Sequence, residues 1–142
     1  MNELTAASGD GSRIALVVDD NIAFAENVVE ILELTGYVVL AAASAEEALP
    51  KALAGQVAFI VTDYRLPGLN GAELIKSVRR YGQKIRAVII SACSDEETIR
   101  EAYEAGIADF ISKPIDFVRL TRVLAAPTSP KAVGAWSRSR AP

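Results

Sequence analysis

No histidine occurs anywhere in the 142 residues, and there is a single cysteine, Cys93. The first absence excludes Ser-His-Asp and Cys-His catalysis and every histidine-containing zinc site. The second excludes an internal disulfide framework and a cysteine-based metal site. Any chemistry must run on carboxylates, hydroxyls, lysines, the backbone or a borrowed hard metal. An excess of positive charge is also missing. Fifteen Lys and Arg residues against eighteen Asp and Glu leave a formal net charge of -3, so direct nucleic-acid binding is not expected. No apolar run reaches the roughly 18 residues of a membrane span. The opening MNELTAASGDGSR has neither the basic start nor the apolar core of a signal peptide. The expectation is a cytoplasmic protein with no membrane association.

What the sequence does contain is alternation. The length suits one domain, expected over residues 13–126, with a flexible arm at 1–12 and a flexible tail at 127–142. RIALVVDD (13–20) is a continuous apolar run ended by two aspartates, the pattern of a strand buried on both faces. Ile22, Ala25, Val28, Val29 and Leu32 then recur at helical spacing, and Gly36 supplies a stop. YVVLAAA (37–43) predicts a second strand. SAEEALPKALAG predicts a helix with Ser44 and Glu47 in capping-box spacing, kinked or broken early by Pro50. VAFIVTD (57–63) predicts a third strand, and Asn70 to Tyr81 a helix with Leu74, Ile75 and Val78 inward. IRAVIISA (85–92) predicts a fourth strand, followed by a helix with a capping box of Ser94 and Glu97. IADFIS (107–112) predicts a fifth. Asp116 is placed to cap a last helix with Phe117, Leu120 and Leu124 on one face. The order βαβαβαβαβα implies a parallel sheet with helices on both sides.

In such a sheet, ligands bind outside the carboxyl ends of the strands. Strand one delivers Asp19 and Asp20 there, strand three Asp63, strand four Ser91 and strand five Lys113. Taken singly, each has a plain structural reading. The aspartate pair suits a helix N-terminus, Asp63 a Pro-Gly turn, Ser91 a bond to the next loop and Lys113 a solvated charge. Together they place three carboxylates, a hydroxyl and an ammonium on one rim. Clustered carboxylates repel unless a cation intervenes, and without His or Cys ligands the suitable cation is hard, with Mg2+ the natural candidate. Asp63 is then placed as a nucleophile toward a phosphoryl group. The metal, Lys113 and Ser91 would hold the phosphoryl oxygens.

With these residues assembled, the chain resembles the receiver domain of two-component response regulators, single-domain chemotaxis regulators included. The resemblance rests on LVVDD, TDYRLPGLNG, VIISA and AGIADFISKP, in that order. It implies a flavodoxin-like α/β fold, a doubly wound five-stranded parallel sheet with strand order 2-1-3-4-5. It implies that Asp63 takes its phosphoryl group from a sensor histidine kinase or a phosphotransfer protein. Asp19, Asp20, Asp63 and the Arg65 backbone carbonyl would bind Mg2+. Ser91 and Phe110 would form the switch, and the Lys113–Pro114 bond would be cis. It also implies a kinase docking on the first helix around Ile22 and Phe24. A downstream protein target would be met through the face of helix 4, strand 5 and helix 5, with room for a phosphorylation-dependent homodimer. Arg65, two residues past the acceptor, is expected to influence dephosphorylation, and Cys93 to be a small buried side chain rather than a reactive thiol. The stretch after residue 126 is too short for a DNA-binding helix-turn-helix unit, so either a single-domain regulator or a piece of a longer protein is expected. Lys131, Trp136, Arg138 and Arg140 are read as part of a solvated end. The rival reading is a Mg-dependent phosphohydrolase or phosphotransferase with an Asp nucleophile. It would want a second aspartate at position 65, where this chain has arginine.

Overall fold

Each of the five apolar runs becomes a strand of one parallel sheet in the computed structural model, which describes residues 13–82, 84–115 and 117–125. The strands are β1 (Ile14–Val18), β2 (Val38–Ala42), β3 (Val57–Asp63), β4 (Arg86–Ser91) and β5 (Asp109–Ser112). Between and after them run α1 (Ile22–Leu34), α2 (Ala45–Leu53), α3 (Gly71–Arg80), α4 (Glu96–Glu104) and α5 (Phe117–Ala125). The spatial order is β2-β1-β3-β4-β5 with every pairing parallel. The expected alternation and strand order are therefore both present. The arm 1–12, the tail 127–142 and Asp116 lie outside the described residues. Among those described, no helix is long and apolar enough to cross a membrane.

The two-residue period of the strands divides the core. Leu16, Val18, Ile60, Ala87, Ile89 and Phe110 point to the side covered by α2, α3 and α4. Ala15, Val17, Phe59, Val61, Val88, Ile90 and Ile111 point to the side of α1 and α5. Central strands buried on both faces need no polar alternation, which explains why β1, β3 and β4 read as unbroken apolar runs. The edge strand β2 differs, since Val38 and Leu40 are exposed. The inner face of α2 is built from the small residues Ala45, Ala48 and Ala52, whereas α1, α3 and α5 bury larger side chains such as Leu32, Leu74 and Leu120.

Several local expectations change. α2 is not broken at Pro50 but continues to Leu53, and the Pro50 carbonyl accepts from Ala54 N–H. Proline removes only its own N–H bond, and the last turn still closes. Ser44 caps α2 as expected, yet Glu47 reaches back to Ala43 N–H at 2.9 Å rather than to Ser44. The cap of α4 is Asp95, not Ser94: its carboxylate accepts from Thr98 N–H at 2.8 Å, a stronger acceptor than a hydroxyl. A full capping box forms instead at Asn70 and Glu73 on α3. On α5, Phe117 is exposed, and the buried face is Leu120, Val123 and Leu124. At the end of α1, Gly36 takes a positive φ of 100° as the chain turns into β2, a conformation open to glycine.

Candidate functional site

The parallel register fixes which side chains meet. Val18 pairs with Thr62 and Asp63 with Ile90, so the residues just past β1, β3 and β4 share one rim. Ser91 lies opposite Ser112, and the Lys113 backbone N–H bonds the Ser91 carbonyl at 2.8 Å, which brings β5's end to the same place. One carboxylate oxygen each from Asp19, Asp20 and Asp63 lies within 4.8 Å of the others. Asp19 is buried, Asp63 partly buried and Asp20 exposed. Lys113 Nζ stands between two of them, 3.4 Å from Asp19 Oδ2 and 3.3 Å from Asp63 Oδ2.

Burial pushes the Asp63 carboxyl above its ordinary value, and the neighbouring Asp19 charge pushes in the same direction. Lys113 and the Arg65 backbone N–H pull it back. The net rise means that Lys113 and the Arg65 N–H do not offset burial and the Asp19 charge together. Three hard oxygen donors, under-neutralised and converging, fit a small divalent cation. Ligand oxygens around an octahedral Mg2+ sit roughly 3–4 Å apart, which follows from bond lengths of about 2.1 Å. Small side-chain adjustments or intervening waters would close the set.

Asp19 also takes part of its plain structural role, because its Oδ1 accepts from Asn21 N–H at 2.9 Å, and Asn21, not either aspartate, is the N-cap of α1. Ser91 is fully buried and its Oγ accepts from Cys93 N–H at 3.0 Å, the loop bond considered for it from sequence. Phe110 is buried on the α4 side of the sheet. The Arg65 side chain is exposed, and its contact with the site runs through the backbone. Cys93 is partly buried, its thiol 3.4 Å from the Asp95 carboxylate. The Lys113–Pro114 bond is cis.

Some contributors meet the site through contacts that the sequence does not indicate. Gly71 opens α3 against the acceptor loop, and a Cβ there would collide with the Asp63 carbonyl. Only glycine lets the helix start so close to that strand end. Tyr64 Oη donates to Glu101 on α4 at 2.6 Å, and Asn70 Nδ2 approaches the same hydroxyl at 3.3 Å. The Glu101 carboxylate holds the Tyr64 hydroxyl proton, so its pKa rises to about 12. The Phe24 ring from α1 lies under Lys113, with Nζ 4.2 Å from the ring centroid. A signal existed only for Gly71, a glycine following a capping asparagine eight residues past the strand-end acid.

Residues 15–125 match the family model described as the response regulator receiver domain. The chain belongs to the response regulator receiver family. It is thus a receiver domain of two-component signalling, the class whose members act as phosphorylation-dependent switches. A response regulator receiver protein of Anaeromyxobacter sp. (strain Fw109-5) is 36% identical over 105 residues, 74% of this chain and 44% of that protein. The transcriptional regulatory protein FixJ of Azorhizobium caulinodans is 34% identical over 100 residues, 70% of this chain and 47% of its own. The receiver chain thus spans less than half the length of these two relatives. Among solved structures, a response regulator of Burkholderia pseudomallei carrying a phosphorylated aspartic acid, a calcium ion and citrate superposes with a TM-score of 0.74. It is 26% identical, and the alignment covers 91% of this chain and 74% of that one.

Proposed function

We propose that this receiver domain accepts a phosphoryl group on Asp63 and passes the event to a protein-binding surface. The observation that carries this reading is the convergence of Asp19, Asp20 and Asp63 at one rim, with Lys113 bridging two of them. The phosphorylated aspartic acid and calcium ion in the Burkholderia pseudomallei relative support it by analogy. Asp19, Asp20, Asp63 and the Arg65 carbonyl would hold Mg2+. The metal, when bound, supplies charge neutralisation for the acids and for the phosphoryl oxygens.

The donor is a phosphohistidine on a sensor kinase or phosphotransfer protein. An Asp63 carboxylate oxygen forms the new bond to phosphorus while the phosphorus–nitrogen bond breaks, and the electron pair stays on the donor imidazole, which takes a proton from solvent. Lys113 turns from the Asp63 carboxylate to a phosphoryl oxygen. Ser91, one residue past Asp63's partner on β4, gives its hydroxyl hydrogen to another. To do so it gives up the position set by its bond with Cys93 N–H, and the β4–α4 segment follows. Phe110, packed on that side of the sheet, responds to the space left. The α4, β5 and α5 face, with Tyr103, Phe117 and Val118 exposed, then presents a changed surface to a downstream protein or a second copy. Loss of the signal is hydrolysis: water oxygen bonds phosphorus, the phosphorus–Asp63 oxygen bond breaks and orthophosphate leaves.

Acetyl phosphate with and without Mg2+, followed by intact mass, tests this directly. The expected result is a Mg-dependent gain of one phosphoryl group that is lost in Asp63→Asn. Gain without Mg2+, or persistence in Asp63→Asn, would refute it. The Arg65 guanidinium is exposed two residues past the acceptor, and after the bonds from Thr98 and Cys93 its charge adds to what holds the Asp95 carboxyl low at the α4 cap. Arg65→Ala is expected to change the lifetime of the phosphorylated form several-fold, read by timed mass spectrometry after donor removal. An unchanged lifetime would remove Arg65 from the account.

A further inference from the structure

Lys113 is held on three sides. Asp19 and Asp63 carboxylates take two of them, and the face of the Phe24 ring takes the third, 4.2 Å from Nζ. An ammonium carries three N–H bonds, and an aromatic face is an acceptor for the one the carboxylates leave. Phe24 sits in the first turn of α1, partly buried against the apolar layer shared by α1 and α5. Its backbone N–H is fixed by the Asn21 cap at 3.1 Å, and Asn21 N–H is in turn held by Asp19. One turn therefore sets both the acid and the ring that face the lysine.

The ring differs from the two carboxylates in one respect. Both carboxylates are candidate metal ligands, and one is the candidate acceptor, so their hold on Lys113 changes as the site is used. The attraction of a π face does not depend on metal or on the charge of Asp63. A lysine stem is long and flexible and would otherwise sample many rotamers when it releases Asp63. We infer that Phe24 is a positioning residue for phosphoryl transfer, its ring face keeping the Lys113 ammonium over Asp63 while the carboxylate contacts exchange. This rests on the reading of Asp63 as the acceptor.

The test uses the full chain with Phe24→Leu, Phe24→Tyr and phenylalanines carrying one to three ring fluorines at position 24. Fluorination keeps the shape and weakens the quadrupole, so the series stays informative even if the leucine variant folds poorly. The first readout is the NMR shift of the Lys113 ε-methylene in unphosphorylated protein. An upfield ring-current shift is expected in the wild type and in Phe24→Tyr, and its loss in Phe24→Leu. The second is the rate of Mg-dependent phosphoryl gain from acetyl phosphate, in which the acyl-phosphate bond breaks and acetate leaves with its electron pair. That rate is expected to fall about three- to tenfold in Phe24→Leu, to recover in Phe24→Tyr and to decline stepwise with each fluorine. No ring-current shift in the wild type, or a rate indifferent to leucine and to fluorine, overturns the inference and leaves Asp63 as acceptor untouched. A wild type that shows the shift but never gains a phosphoryl group instead overturns the acceptor reading, and the role for Phe24 with it.

Discussion

At Asp63, burial and charge act on one carboxyl in opposing directions. Desolvation and the Asp19 charge raise its pKa, against Lys113 and the Arg65 N–H. A carboxyl whose folded pKa lies above its unfolded one binds protons better in the native state, so native stability falls as pH rises through that interval. Removing the charge should then help at neutral pH. Asp63→Asn in metal-free buffer is expected to raise the unfolding temperature at pH 7, and the gain should shrink toward zero below roughly pH 4, where an unfolded aspartate protonates as well. Thermal unfolding across pH checks it, and a variant less stable than wild type at pH 7 would contradict it. The rim residues could be read from sequence because each ends an apolar run, and parallel strands put such ends on one edge. The roles of Phe24 and Tyr64 at the rim could not, and Gly71 carried only the signal of a glycine after a capping asparagine. Their contacts, to Lys113, Glu101 and the Asp63 carbonyl, cross from one element to another at angles that only packing decides.

Among the elements, β5 shows how α4 and α5 are tied to the sheet. Asp109 is buried at the start of β5 and is gripped by Arg119 of α5, with Nη2 to Oδ1 at 2.6 Å and Nε to Oδ2 at 3.0 Å. Tyr103 of α4 donates to the same Oδ1 at 3.2 Å, and Phe110 N–H bonds it as well. Burial, then the Asp109 charge, raises the Tyr103 hydroxyl pKa, so it stays a donor. Arg119→Leu strips the bidentate partner from a buried carboxylate and should cost about 2–3 kcal/mol of stability in denaturant unfolding. A loss under ~0.5 kcal/mol would show that solvent or Tyr103 replaces it. Helix and strand positions were legible because periodicity integrates many side chains. Caps were less so: at Ser94 and Asp95 two adjacent acceptors compete for one helix end, and the carboxylate takes it. Pro50 does not end α2, whose buried Ala45, Ala48 and Ala52 pack on the sheet to either side of it.

For the whole molecule, the order β2-β1-β3-β4-β5 places β1 and β3 side by side, with the helices that follow them, α1 and α3, leaving toward opposite faces. That reversal opens the crevice in which Asp19, Asp20 and Asp63 meet. Strand number and parallel pairing were legible from the alternation of apolar runs and amphipathic helices. The lateral order was not, since nothing in an apolar run says which neighbour it takes, and it entered only through the family resemblance. In the proposed function, one carboxylate of the three forms the phosphoryl bond while the others serve the metal. Borohydride reduction after incubation with acetyl phosphate and Mg2+ converts an aspartyl phosphate to homoserine, and peptide mapping then reads which position changed. Homoserine is expected at residue 63 alone. Homoserine at residue 19 or 20, or an unmodified residue 63 with donor and Mg2+ in excess, would contradict it.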